Sequence, residues 1–260
     1  MRHVTPVVRT SRYVRAGLMV LSEHFQQREI GPTHSSFRSR LPLKTPSGPQ
    51  YAESELEAEL LEQLAFAPDV FDLLTQPIVE YYSGGRLRRY TPDLAIQLYS
   101  APENAPCRYL VEVKRQADLN ANRVSYEPRL AAGRKAAEEA GAAFRIMDEH
   151  GIRTPYLGNT RLLSRYRNSD PEFETYDLLR ALLSDGSLSV IEAIRLLSGH
   201  GVGEPDARAG IDQAIAWRLL ACDLSQPFND ATIISAPIIG KASPYGSDPI
   251  IRALREAPTS

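Results

Sequence analysis

The sequence predicts an α/β fold, a mixed sheet with helices on its faces, followed by a small helical domain. Short, β-rich apolar segments at 94–99, 109–114 and 143–147 are bounded by Pro, Asn and Ser, as strands are. Helical periods at 54–67 and 127–140 precede and separate them. Beyond about residue 170 the strand signals give way to three helical stretches and one short hairpin.

Residues 1–50 read as a basic arm. Arg2, Arg9, Arg12, Arg15, Arg28, Arg38, Arg40 and Lys44 face only Glu23 and Glu29, a balance of +6. The whole chain is −2, so residues 51–260 carry −8. That excludes DNA binding by the protein's overall charge but suits an arm touching phosphates. Arg38, Arg40 and Lys44 are the candidate DNA-binding residues, beside an aromatic and several hydroxyls at 34–40. A solubilising arm packed on the body fits the same composition. The apolar run at 16–21 is too short to span a membrane, and no small-residue cleavage site follows it.

A helix follows at 54–67, ended by Pro68. Leu56, Leu60, Leu61 and Leu64 form its apolar stripe, and Glu55, Glu59 and Glu62 take the opposite face. Glu57 projects from the buried side, where a carboxylate needs a partner. Ser54-x-x-Glu57 is a capping-box spacing, which explains it structurally. It could equally be an acid delivered to a site, with Glu53 the near competitor. Next, 78–82 and 86–90 flank Ser83-Gly84-Gly85, a hairpin signal. The strands 94–99 and 109–114 come after it, then a polar loop at 118–125 and an Ala-, Lys- and Glu-rich helix at 127–140 closed by Gly141. The strand 143–147 ends at Asp148-Glu149, read as a turn or helix start rather than further site acids.

A boundary near 168 separates a catalytic domain, 51–168, from a second domain, 169–236. There, helices around Tyr176–Leu183, Ile191–Leu197 and Ala207–Ala221 precede a hairpin from 222–224 and 231–234, a winged-helix pattern. Its third helix balances Arg208 and Arg218 against Asp206 and Asp212, a poor DNA-reading face that favours a protein-interaction role. Residues 237–260 read as a flexible tail in which Ile250, Ile251 and Leu254 could dock a partner. Cys107 and Cys222 lie far apart without ligand spacing and read as reduced thiols. No glycine-rich phosphate loop is present.

The chemistry lies in Asp93 and in Glu112-Val113-Lys114. Residues i and i+2 of a strand share a face, so Glu112 and Lys114 point one way while Val111 and Val113 point into a core. If the two strands pair, Asp93 joins them. Two carboxylates and an ammonium on one patch suit metal-assisted phosphodiester hydrolysis: the acids hold a hard cation such as Mg2+, and the lysine positions water or stabilises developing charge. A solvated ion pair is the plain alternative.

Ser54-x-x-Glu57, Gln76-Pro77, the hairpin, Thr91-Pro92-Asp93 and Glu112-Val113-Lys114 together resemble the TnsA family, the endonuclease subunits of heteromeric bacterial cut-and-paste transposases. The resemblance covers roughly residues 5–236. It implies a restriction-endonuclease-like catalytic domain in which Glu57, Asp93 and Lys114 match the catalytic acid, acid and lysine. Glu112 matches the variable metal-coordinating position, and Val113 lends its carbonyl to the metal. It further implies Mg2+, with Mn2+ able to substitute, and cleavage at the 5′ ends of the element. The implied partners are transposon-end DNA, a TnsB-like recombinase and a TnsC-like ATPase regulator, in a cytoplasmic, nucleoid-associated setting without a membrane. A stand-alone restriction-type nuclease or junction resolvase, and a non-catalytic assembly module, are the alternatives.

Overall fold

Two buried strands running in opposite directions form the middle of the main sheet, as the paired apolar segments require. The computed structural model describes residues 18–28, 39–41, 45–100, 105–168, 173–183, 186–236 and 248–259. Two units are present, residues 1–151 with 254–260, and residues 152–253.

The first unit opens with α1 (Leu21–His24), β1 (Gln26–Gln27), β2 (Ser39–Leu41) and β3 (Gln50–Ala52), then α2 (Glu55–Phe66). It continues through β4 (Val70–Thr75), β5 (Pro77–Ser83), β6 (Arg86–Tyr90), β7 (Leu94–Leu98), β8 (Arg108–Val113), α3 (Gln116–Glu139) and β9 (Ala143–Met147). The one-turn α4 (Glu149–Ile152) follows. The main sheet has the order β4-β7-β8-β9. β7 runs antiparallel to β4 and β8, while β8 and β9 are parallel, with α3 making the crossover. All of β7, and all of β8 except Arg108, is buried. Both strands are therefore covered on both faces, and β8 does not show the expected exposed side.

β5 and β6 form the expected hairpin, in register from Val79↔Tyr90 to Ser83↔Arg86. Gly84 and Gly85 turn it with φ of 59° and 72°, which only glycine adopts readily at two successive positions. Gly133 has a different task. A Cβ there would lie 2.5 Å from the Phe144 ring and 2.9 Å from Tyr90, so its absence lets α3 sit tightly on both aromatics.

Several other segments differ from what their local sequence suggests. The stretch 118–125, expected as a loop, is the first part of α3, which kinks at Asn122. Glu149 accepts the Gln116 N–H at 2.9 Å and so starts the helix early, a long-range cap that no local pattern reveals. β4 has no counterpart in the sequence reading because Asp72 interrupts its apolar run. That carboxylate is fully buried and accepts from Leu21 N–H, Ser47 N–H, Ser47 Oγ–H and Leu73 N–H, pinning two upstream segments to the strand. Residues 249–256, expected within a flexible tail, form a helix with Ile250, Ile251 and Leu254 buried, so these side chains are not available as a docking anchor. Residues 237–247 lie outside the described residues. Past the helix, the Pro258 carbonyl accepts Ile146 N–H of β9 at 2.9 Å.

The second unit contains α5 (Pro155–Leu163), a 3-10 turn (Ser164–Asn168), α6 (Phe173–Leu182), β10 (Ser187–Ser189), α7 (Val190–Gly199), α8 (Glu204–Ala216), β11 (Ala221–Cys222), β12 (Ile233–Ser235) and most of α9 (Pro249–Glu256). It begins near 152, earlier than the boundary placed at 168. Asn159 of α5 explains why: its amide donates to the Leu224 and Gln226 carbonyls and accepts Phe228 N–H, binding α5 to the later segment. The three short strands form one antiparallel sheet, β10-β12-β11, in which β10 comes between α6 and α7 and the other two strands follow α8. Ser189 and Glu192 close a capping box on α7. No helix among the described residues is long and apolar enough to cross a membrane.

Candidate active site

The β7–β8 pairing brings the expected residues together. Leu94 lies opposite Val111, so Asp93 stands level with Glu112 one step further. Asp93 Oδ2 accepts Val113 N–H at 2.7 Å and lies 3.3 Å from Lys114 Nζ. The ammonium also donates to the Val113 carbonyl at 2.9 Å and lies 2.9 Å from Glu112 Oε1. Lys114 thus gathers two carboxylates and a carbonyl around one positive centre.

Glu112 is fully buried, deeper than a strand-end acid is expected to be. Two residues that the sequence reading did not assign to the site keep it there. The Tyr90 hydroxyl donates to Glu112 Oε2 at 2.6 Å, and an Arg129 guanidinium nitrogen lies 2.8 Å from Oε1. Tyr90 is the last residue of β6, directly before Thr91-Pro92-Asp93. Arg129 gives no local signal, since only the fold carries α3 back over β8.

Burial first, then the Asp93 charge, pushes the Glu112 carboxyl above its ordinary range, opposed by Lys114, Tyr90 and Arg129. Burial pulls the Lys114 ammonium down, but Asp93 and Glu112 together outweigh it and hold its pKa above the ordinary value. Burial and the Glu112 charge raise the Tyr90 phenol, which stays protonated as a donor.

Glu57 satisfies the capping geometry. Ser54 Oγ accepts Glu57 N–H at 3.2 Å, and the Glu57 carboxylate accepts Ser54 Oγ–H at 3.0 Å and Glu53 N–H at 2.9 Å. It also feels the strand patch: burial first and then Asp93 raise its pKa from 4.5 to about 7. Glu53, the competitor, is held by Arg28 at 2.6 Å in a half-exposed pair. Of the arm residues, Arg38 and Lys44 lie outside the described residues, and Arg40 is placed only by its backbone in β2, opposite Tyr51. Asp148 accepts His150 and Gly151 N–H, a helix-start role matching the turn reading.

Residues 67–149 match the model of a protein family described as TnsA-like endonuclease N terminal. Over that stretch the chain is similar to a TnsA-like N-terminal domain. The match supports a TnsA-like family assignment. No curated protein matches the chain. The matched stretch of the TnsA-like domain holds Asp93, Glu112, Val113, Lys114, Tyr90 and Arg129, but not Glu57.

Among the described residues no group of three or more His, Cys, Asp and Glu side chains is arranged as a ready metal cage. The donors present nonetheless fit a hard dication: two carboxylates and a backbone carbonyl, all oxygen, converging on the Lys114 charge. Glu112 Oε1 is sealed from solvent and makes no hydrogen bond of sound geometry. Its neighbours are two cations within ion-pair range, as suits an oxygen whose partner is a charge rather than a directed donor.

Proposed function

We propose that this chain is the DNA-cleaving subunit of a transposase, a Mg2+-dependent endonuclease acting at the 5′ ends of a transposon during excision. The observation that carries the reading is the convergence of Asp93, Glu112, the Val113 carbonyl and Lys114 inside a TnsA-like domain. Asp93, Glu112 and the Val113 carbonyl would hold the metal, with Glu57 supplying a third acid from α2. Bound there, Mg2+ (or Mn2+) supplies Lewis-acid charge to the phosphodiester. Lys114, released from the acids it now neutralises, orients the attacking water and stabilises negative charge developing on the phosphate. Tyr90 and Arg129 favour the charged form of Glu112 against its burial and hold the side chain in place. Glu57, with a pKa of about 7, is half-ionised near neutrality and can accept a proton.

The second unit reads as a winged-helix module, from the order of three helices and the β10-β12-β11 sheet. A protein-contact role for it fits α8, where Glu204, Asp206 and Asp212 outnumber Arg208 and make a poor phosphate-binding face. A TnsB-like recombinase, a TnsC-like ATPase and transposon-end DNA complete the proposed assembly. The test is strand cleavage of end-bearing DNA with the partner recombinase supplied, with Mg2+ or with EDTA. Cutting that needs Mg2+ and is lost in Lys114→Ala is expected. Undiminished cutting by Lys114→Ala would overturn the reading.

A further inference from the structure

We propose that the outer half of the β5–β6 hairpin is a duplex-DNA contact, in which Arg88 and Arg86 grip phosphates beside the bond presented to the Asp93–Glu112–Lys114 cluster. This rests on the nuclease reading above.

β6 leads directly out of the site. Its last residue, Tyr90, is buried and bonded to Glu112, whereas Arg86, Leu87, Arg88 and Arg89 are all exposed. Residues i and i+2 share a face, so Arg88 and Arg86 continue the Tyr90 face outward in steps of roughly 6.6 Å. The cross-strand neighbours on that face are Tyr81 opposite Arg88 and Ser83 opposite Arg86, an aromatic and a hydroxyl with no carboxylate. Neither Arg86 nor Arg88 has an ion-pair partner among the described residues. Arg89, on the other face, is paired with Glu80 at 3.0 Å, and the nearby Glu139 carboxylate is taken by the Tyr82 N–H.

Charge supports the assignment. Residues 51–260 carry −8, yet this one path bears Arg129 at the site edge, half-exposed, and then Arg88 and Arg86. Unpaired guanidiniums in line on an acidic body meet a polyanion better than they meet bulk solvent. The shape fits too. Among the described residues β6 pairs only with β5, so its other edge is open to a phosphate backbone, while β5 is flanked by α3, whose Glu139 accepts the Tyr82 N–H.

The experiment uses the full chain and a labelled linear DNA duplex in EDTA, so that binding is read without cutting, across a series of salt concentrations. The double variant Arg86→Ala/Arg88→Ala is expected to reduce the slope of log K against log salt by about 1.8, near 0.9 for each lost phosphate contact. Arg89→Ala should keep the wild-type slope, and Arg86→Lys/Arg88→Lys should restore it. Both arginines are exposed, so the melting temperature should not move. A wild-type slope in the double alanine variant, an equal loss in Arg89→Ala, or no binding by the wild type at low salt would overturn the contact. Cleavage by the wild type is scored separately. If it cuts DNA while the double variant binds normally, the hairpin inference fails and the nuclease reading stands. If the slope falls as expected but the wild type cuts nothing with its partner, the contact stands and the nuclease reading fails.

Discussion

Replacing Asp93 by Asn and by Ala separates its two roles, as a charge and as a hydrogen-bond acceptor. The carboxylate is nearly buried and accepts Val113 N–H at 2.7 Å. Asn keeps the shape and one acceptor oxygen, so that bond survives, and stability near neutral pH should change by less than about 1 kcal/mol. Ala removes the acceptor and strands a buried N–H, which costs about 1–3 kcal/mol. At about 2–4 °C per kcal/mol for a chain of this size, Asp93→Ala should melt roughly 2–12 °C below wild type. Either change also removes a charge that raises the Glu57 and Glu112 pKa values, so part of the loss is offset. The assay pairs thermal melting with strand cleavage in Mg2+. Asp93→Asn should melt like wild type and not cut, and Asp93→Ala should melt lower and not cut. Wild-type melting by Asp93→Ala would refute the buried-acceptor argument, and cutting by Asp93→Asn would refute the role of the charge.

The Glu57 carboxyl, raised from 4.5 to about 7, retains a proton in the folded protein over a window where the unfolded chain has lost it. Stability should therefore fall as pH rises from about 4.5 to 7, by at most roughly 3 kcal/mol, and Glu57→Gln should flatten that slope when melting is followed against pH in EDTA. Gly133→Ala would drive a methyl into Phe144 and Tyr90. The clash should outweigh the gain of about 1 kcal/mol in helix propensity, so a net loss near 1 kcal/mol or more in urea denaturation is expected, with reduced cleavage because Tyr90 holds Glu112. Tyr90→Phe deletes the 2.6 Å hydrogen bond to Glu112 and should cost about 1.5–3 kcal/mol, measured by the same denaturation. Wild-type stability there would show that Lys114 and Arg129 suffice.

Local signals were enough wherever one segment decides its own structure. The Leu56–Leu64 stripe with Ser54 ahead of it gave α2, and Ser83-Gly84-Gly85 gave the hairpin. Asp93 and Lys114 could be placed together because both flank strong strand patterns. What escaped depends on distant partners. Asp72 looks like a break in a strand until three donors from upstream segments, with the neighbouring Leu73 N–H, satisfy it. Glu149 begins α3 from 33 residues away. Glu112 looked half-exposed because an i, i+2 alternation assumes one wet face, and β8 has none. The apolar side chains near residue 250 were legible as a cluster, but nothing local says whether such a cluster meets a partner or its own core.

β9 is an outer strand of the main sheet, and its Ile146 N–H is taken by the Pro258 carbonyl. Arg134 adds a hydrogen bond to the Thr259 carbonyl at 3.0 Å. The last described residues thus act as a guard rail along an otherwise open row of backbone donors, the kind of row that recruits strands from other molecules. Trimming or bulky tagging there would change solubility before it changed catalysis. A shortened version that precipitates at high concentration would be reporting on an uncovered sheet edge rather than on a damaged active site.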